Sequence, residues 1–136
     1  MKGSYILLIR VKKNSMIKVG KLGVLHFPAG IYCYVGSAMG RGNPLLKRIE
    51  RHLRKKKKIR WHVDYLLVKP SVIVEAVFLF PSQRRLECLI SRKMEKYAEF
   101  SVKGFGCSDC KCKSHLHYFK DLKKALEVMK ILSRKF

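Results

Sequence analysis

The chain has 136 residues, 48% of them hydrophobic, and its 31 lysines and arginines against 9 acidic residues give a formal net charge of +22. So large an excess of positive charge destabilises a compact chain by self-repulsion. It usually serves to bind a polyanionic partner, so nucleic acid is the leading candidate. An anionic membrane is the competing partner, but we find neither a basic amphipathic helix nor a lipid-anchor motif to support it. The length fits a single domain over residues 1–136.

No segment resembles a signal peptide or a membrane span. The apolar stretch 5–9 is only strand-length, and the stretch 72–80 is interrupted by Glu75. The five cysteines come without a secretory signal, which argues against a disulfide framework. We therefore expect a reducing, cytoplasmic location.

The first half of the chain predicts three extended segments before its first helix. In order these are a strand at 4–11, a short hairpin or bent strand at 16–27 and an aromatic strand at 31–35. A glycine-rich loop at 36–43 follows, and then a helix from Pro44 to about Lys56. Leu45, Ile49 and Leu53 recur every four residues on this helix and predict a buried stripe.

The second half of the chain predicts helices and strands in alternation. In order they are a short helix at 61–68, a strand at 71–80, a third helix capped by Ser82 and reaching about Tyr97, an irregular segment at 104–114, a short strand at 115–119 and an amphipathic helix at 122–132. The pattern indicates one α/β domain with a small central sheet.

Arg48 and His52 lie one turn apart on the first helix and flank its apolar stripe. We expect both side chains to leave the helix where core meets solvent, as at the wall of a cleft. A guanidinium there can hold a phosphate oxygen and stabilise growing charge, and an imidazole can move a proton. The alternative is a basic surface helix without chemistry.

A site that cleaves phosphodiesters usually needs a carboxylate to hold a divalent metal. Once acids on polar helix faces are set aside, four remain: Asp64, Glu75, Glu87 and Asp109. Glu87 is the most informative, because it shares a helix face with Ile90 and Met94, where an unpaired carboxylate is costly. A metal would be one partner, and a lysine or arginine the other. Glu75 is the reserve candidate.

Three tyrosines lie on predicted strands: Tyr5, Tyr32 and Tyr34. Tyr32 and Tyr34 are two residues apart and face the same side. Core packing explains at least one of the three. A phenol can act as a general base only if nearby cations lower its pKa, and we expect such cations here.

These residues resemble the GIY-YIG nuclease domain. Gly3-Ser4-Tyr5 is similar to the first half-motif, Tyr34-Val35-Gly36 to the second, and Arg48, His52 and Glu87 to the family's helical arginine, histidine and metal-binding glutamate. Within this family the chain resembles a compact single-domain group, called the Uri group, over nearly its whole length. The resemblance lies in the segments 30–38, 51–52, 61–66, 104–110 and 114–116.

The chain departs from the family at two places. An insertion of roughly residues 16–28 separates the half-motifs. Gly30-Ile31-Tyr32 is not the first half-motif, because one intervening residue cannot connect two paired strands. The family's late asparagine is missing, and Ser114 or His115 stands near its place.

The resemblance implies a small three-stranded central sheet flanked by helices, here with an inserted hairpin. It also implies one divalent metal, Mg²⁺ or Mn²⁺, on Glu87. It further implies a tyrosine that activates water and an arginine that holds the scissile phosphate. The catalytic roles then fall to these residues: Tyr5, Tyr34, Arg48, His52 and His115.

A cysteine-rich segment near the C-terminal end has the spacing of zinc ligands. The candidates are Cys107, Cys110, Cys112 and His115, with His117 nearby. A structural zinc is one interpretation, and a loop packed with small apolar cysteines is the other. Cys33 and Cys88 are predicted to be core residues.

The preferred function is a metal-dependent endonuclease acting on DNA. The residues expected to hold the nucleic-acid backbone are Arg41, Arg51, Lys55, Lys56, Lys57 and Lys58. The alternative is a non-catalytic module that binds DNA or RNA through a nuclease-like fold, since fold alone does not decide function.

Overall fold

The computed structural model describes residues 1–136 and confirms an α/β fold, with a five-stranded antiparallel sheet and four helices. The strands are β1 Gly3–Val11, β2 Ser15–Lys18, β3 Val24–Phe27, β4 Gly30–Ala38, β5 Val72–Pro81, β6 Phe100–Ser101 and β7 Leu116–Phe119. The helices are α1 Pro44–Leu53, α2 His62–Leu67, α3 Glu87–Glu95 and α4 Leu122–Lys135. None of them combines the length and the apolarity needed to cross a bilayer.

The central sheet is larger than the predicted three strands. Its order is β5-β1-β4-β7-β6, so β7 and β6 extend the predicted trio. The extension forms because Ile31 to Tyr34 of β4 pair with Phe119 to Leu116 of β7. The inserted segment forms a separate two-stranded sheet, in which β2 pairs with β3 as the predicted hairpin.

Strand alternation divides the core into two layers. On β1, Tyr5, Leu7 and Ile9 face the cluster that contains residues of α1 and α2. Ile6 and Leu8 face the opposite cluster, with residues of α3 and α4. Because successive side chains of a strand point to opposite faces, a strand covered on both sides needs a continuous apolar run. The sheet therefore lies between two helical layers.

Several predicted boundaries are wrong. The segment 36–38 belongs to β4 rather than to a loop, because it pairs with the start of β1. Helix α1 ends at Leu53, which is exposed, so the buried stripe stops short of it. Ser82 does not cap α3, which begins at Glu87 and ends at Glu95. The Ser82 hydroxyl instead accepts a hydrogen bond from the Arg84 amide within a turn.

Candidate active site

The two half-motifs meet across the central strand pair. Tyr5 of β1 is directly opposite Gly36 of β4. A Cβ added at Gly36 would lie 2.4 Å from the Tyr5 hydroxyl oxygen. Only a residue without a side chain allows the Tyr5 ring to lie over the strand in this way. The glycine therefore sets the position of the phenol.

His52 lies directly behind Tyr5. Its Nε2 atom is 2.7 Å from the Tyr5 hydroxyl, and both side chains are buried. The ring of Tyr34 is centred 6.4 Å from that of Tyr5 and 6.2 Å from that of His52. The structure thus brings together three of the predicted catalytic residues. His52, however, lies in the core rather than at its boundary with solvent.

The protonation states differ from the sequence-based expectation. Burial raises the pKa of Tyr5 and of Tyr34 and outweighs the nearby Arg48, which lowers both. The expectation that cations would lower a tyrosine pKa is therefore wrong, and both phenols are protonated at neutral pH. Burial, assisted by Lys57, lowers the pKa of His52 to about 3. The imidazole beside Tyr5 is consequently neutral, so its Nε2 atom can accept a hydrogen bond from the Tyr5 hydroxyl.

Arg48 lies at the wall of an open cleft, as predicted. One guanidinium nitrogen donates to the Ser37 carbonyl at 2.9 Å. The guanidinium carbon lies 4.3 Å from the centre of the Trp61 ring, a cation–π distance. An arginine carries five N–H donors, so donors remain for an anion in the cleft.

Glu87 faces the same cleft from the first turn of α3. Its Oε1 accepts from the Ser37 hydroxyl at 3.1 Å and lies 3.9 Å from Arg85. Its Oε2 lies 3.4 Å from Nδ1 of His115. Burial alone would raise the pKa of Glu87, but His115, Ser37 and Arg85 together lower it. The carboxylate is therefore ionised at neutral pH.

An open cleft of about 520 Å³ joins these groups. Six chemically relevant side chains among those that line it are Tyr5, Tyr34, Arg48, Trp61, Glu87 and Asp109. His52 contacts the cleft through Tyr5, and His115 through Glu87. The family motifs pointed to five positions. Four of them line this one cleft, namely Tyr5, Tyr34, Arg48 and Glu87. The fifth, His52, contacts Tyr5 from the side of the core.

Asp64 and Arg51 form an internal ion pair. The Asp64 side chain is fully buried and receives two hydrogen bonds of 3.0 Å from Arg51. It also accepts the backbone N–H groups of Arg60 and Trp61 at 2.8 and 3.0 Å. These contacts connect α1 to the start of α2 and hold Trp61 under Arg48. Arg51 therefore has a structural role, and its role in binding a nucleic-acid backbone stays a prediction.

The lysine run has two kinds of member. Lys57 is buried and donates to the backbone carbonyls of Arg51 and His52 at the end of α1. Lys55 donates to the carbonyls of residues 67, 69 and 72. These two ammonium groups satisfy backbone acceptors of the protein itself, and their role in binding nucleic acid stays a prediction. Lys55 is exposed, as are the remaining candidates Arg41, Lys56 and Lys58, whose side chains have no such contacts.

The cysteine segment does not form the predicted ligand set. Cys107 lies outside the set, and its thiol faces the Phe105 carbonyl at 3.4 Å. Cys88, predicted as core, takes its place beside Cys110, Cys112 and His115. Cys33 is buried, as predicted.

Sequence reasoning missed the residues that support the cleft from a distance. Nδ1 of His62 accepts the Gly106 amide at 2.8 Å, and Gly106, with φ of +73°, packs against Tyr34 and His115. Asp64 could have been recognised, because an acid three residues after Trp61 is a signal for the start of a helix. No local pattern pointed to Trp61 as a platform for three arginines, Arg48, Arg51 and Arg60.

Comparison with known proteins gives a family and no activity. The family model described as a domain of unknown function, DUF123, matches residues 4–136. No curated protein and no solved structure matches the chain.

Proposed function

Because the chain belongs to the DUF123 family, whose description assigns no activity, we propose a function from the site itself: a metal-dependent endonuclease of the GIY-YIG type that hydrolyses phosphodiester bonds in DNA. The observation that carries the proposal is the convergence of Tyr5, Tyr34, Arg48 and Glu87, from four different elements, on one cleft. A surface that only binds nucleic acid needs the cations but has no use for an ionised carboxylate among them.

The chemistry of Glu87 supports a divalent-metal site. The carboxylate is ionised, and its two oxygens have more lone pairs than the contacts with Ser37 and His115 use. Mg²⁺ is commonly bound through one or two carboxylates and completes its shell with water and substrate phosphate. When bound, such an ion would polarise the phosphate and stabilise the developing negative charge. Asp109 lines the same cleft and offers a second carboxylate.

Tyr5 and His52 provide a route for the proton that the attacking water loses. The Tyr5 hydroxyl can accept that proton while passing its own to the neutral Nε2 atom of His52, 2.7 Å away, and because burial disfavours the imidazolium the proton then returns through Tyr5 to the solvent of the open cleft. The water oxygen forms the new bond to phosphorus as the bond to the leaving sugar oxygen breaks. A relay of this kind suits a phenol that burial keeps protonated. Tyr34 borders the same space and can orient the water.

Arg48 is suited to hold the scissile phosphate. Its contact with the Ser37 carbonyl and its stacking on Trp61 fix the guanidinium before substrate arrives. Donors that are ordered in advance stabilise a transition state without a reorganisation cost. The excess positive charge of the chain, +22, would attract the DNA backbone irrespective of sequence.

A substrate panel tests the proposed function. Purified protein is incubated with supercoiled plasmid, single-stranded DNA and RNA in the presence of Mg²⁺. We expect nicking of DNA, and a loss of about 100-fold or more for Arg48→Ala. Lys47→Ala, which removes an exposed cation from the same helix, is the matched control and should retain the rate. Tight binding to DNA without cleavage of any substrate would instead support the non-catalytic module.

A further inference from the structure

Three thiols and one imidazole converge next to the cleft. Cys88 comes from the first turn of α3, Cys110 and Cys112 from the loop before β7, and His115 from the residue that precedes β7. The ligand atoms of all four side chains lie within 4.8 Å of one another. Cys112 and His115 are buried, and the other two are half-buried. The proposed hydrolysis uses none of the three thiols.

The distances in this cluster match a single tetrahedral ion. Zinc bonds of about 2.3 Å to sulfur and 2.0–2.1 Å to nitrogen place the two kinds of ligand atom about 3.5 Å apart. Nε2 of His115 lies 3.5 Å from Sγ of Cys110 and 3.9 Å from Sγ of Cys88. These two separations are within about 0.4 Å of the tetrahedral value, and the limit of 4.8 Å on every pair of ligand atoms means that a movement of about 1 Å suffices to surround an ion.

We propose that Cys88, Cys110, Cys112 and His115 bind one structural zinc ion. Three thiolates and one imidazole, with no position left for water, form a donor set typical of structural zinc sites. Sulfur ligands also select zinc over the harder Mg²⁺ or Mn²⁺ that a carboxylate prefers. Binding converts the three thiols to thiolates and releases their protons to solvent. This site is separate from the metal site proposed at Glu87.

His115 connects the zinc site to the cleft. Its Nε2 atom faces the thiols, while Nδ1 lies 3.4 Å from Oε2 of Glu87. Nδ1 is buried and has no well-aligned hydrogen bond to any group. A metal-bound histidine usually donates its second N–H to a carboxylate. Zinc on Nε2 places the ring proton on Nδ1, and a small rotation then directs that proton to Glu87.

The zinc would join two segments that are far apart in sequence. Cys88 fixes the first turn of α3, and the other ligands fix the loop 110–115. Glu87 is the neighbour of Cys88 and contacts His115. The ion would therefore hold the wall of the cleft that carries the Glu87 carboxylate, because bound metal stabilises the folded arrangement of its ligands.

Cys107 provides a matched control for the ligand set. It is half-buried like Cys88 and lies in the same segment as Cys110, but its thiol faces the Phe105 carbonyl. Sequence spacing alone would select Cys107 and omit Cys88. A comparison of Cys88→Ala with Cys107→Ala therefore separates the three-dimensional cluster from the local sequence motif.

The test is the metal content of protein purified under reducing conditions without chelator. We expect one zinc ion per chain in the wild type and in Cys107→Ala, and loss of zinc in Cys88→Ala. X-ray absorption of the wild-type protein, which needs no variant to fold, should give three sulfur neighbours and one nitrogen neighbour. Glu87→Gln should keep zinc but bind it about 10-fold more weakly, as for other partners of metal-bound histidines.

Three results would overturn the zinc proposal. They are the absence of zinc from the wild type, retention of zinc by Cys88→Ala with loss in Cys107→Ala, and a disulfide among Cys88, Cys110 and Cys112 in the reduced preparation. The readout is metal content and not hydrolysis. A failure of the nuclease proposal therefore leaves this test intact, and failure of the zinc site leaves the substrate panel intact.

Discussion

The guanidinium of Arg51 and the carboxylate of Asp64 face each other through two hydrogen bonds of 3.0 Å, with the Asp64 side chain fully buried. A second arginine–carboxylate pair joins Arg10 of β1 to Glu75 of β5, with side chains 38% and 30% exposed. Both pairs join an arginine to a carboxylate, but the side chains of the Arg51–Asp64 pair are less exposed than those of the Arg10–Glu75 pair. They therefore allow a direct comparison of what an ion pair contributes at each depth.

We predict that Asp64→Asn lowers the free energy of unfolding by about 3 kcal/mol, because it removes the charge partner of the half-buried Arg51 and of the buried Lys57 ammonium, which lies 4.0 Å away. Glu75→Gln should lower it by less than about 1 kcal/mol, since solvent screens an exposed pair. Urea denaturation of both variants measures the difference. Equal losses in the two variants would contradict the structural role given to Asp64.

Substitutions in the lysine run 55–58 should affect either DNA binding or stability, depending on whether the side chain is exposed or packed inside. Lys56→Ala and Lys58→Ala should each reduce the slope of log K against log salt for DNA binding by about 0.9, because each removes one phosphate contact. Lys57→Ala should instead lower the free energy of unfolding by about 1–3 kcal/mol, because it leaves the His52 carbonyl at the end of α1 unpaired.

Salt-dependent binding and urea denaturation of all three lysine variants check this division. An unchanged stability in Lys57→Ala would contradict it. So would a loss of stability in Lys56→Ala, whose side chain is exposed.

Gly36→Ala should disturb the Tyr5–His52 contact. The added methyl group would lie 2.4 Å from the Tyr5 hydroxyl, so the ring must move, at a cost of about 1–3 kcal/mol. Gly40→Ala is the matched control in the same cleft, because its added methyl meets only Pro44 at 3.9 Å. Thermal unfolding compares the two variants, and the same loss in both would show that the close approach of Tyr5 is unimportant.

Stability should fall as the pH is lowered from about 6.5 to about 5. Burial lowers the pKa of His52 and of His117 to about 3, below the unfolded value of about 6.5. The unfolded chain therefore binds more protons in this window, and each histidine contributes a loss of about 2 kcal/mol.

His117→Gln should remove roughly half of that pH dependence. His26→Gln, at an exposed position of β3, should leave it unchanged. Urea denaturation at the two pH values provides the measurement. A stability that rises as the pH falls through this window would have the wrong sign for two neutral buried histidines.

The sequence predicted those parts of the site that depend on local periodicity. The spacing of Glu87, Ile90 and Met94 placed the carboxylate on the inner side of α3, where two of its neighbours are buried. The family resemblance assigned both half-motifs to one site, and the pairing of β1 with β4 sets Tyr5 opposite Gly36. Both results follow from the repeat of a single helix or of one pair of strands.

The remainder of the site depends on partners that are distant in sequence. Lys57 looks like a solvated charge, and Asp64 has no identifiable partner, until α1 and α2 pack together. Cys88 likewise joins a loop more than twenty residues away. The tyrosine pKa values depend on a balance between burial and the charge of Arg48, and composition reveals only the charge. Sequence pattern therefore identified the reactive groups better than their supports.

The most direct test of the proposed hydrolysis is the rate of plasmid nicking by Glu87→Gln and Glu95→Gln, measured side by side in Mg²⁺ with zinc supplied. Both residues lie on α3, but Glu95 faces Lys113 at 4.0 Å and lies outside the cleft. The account predicts a loss of roughly 1000-fold for Glu87→Gln, equivalent to about 4 kcal/mol of transition-state stabilisation. It predicts a wild-type rate for Glu95→Gln, and equal rates for the two variants would contradict it.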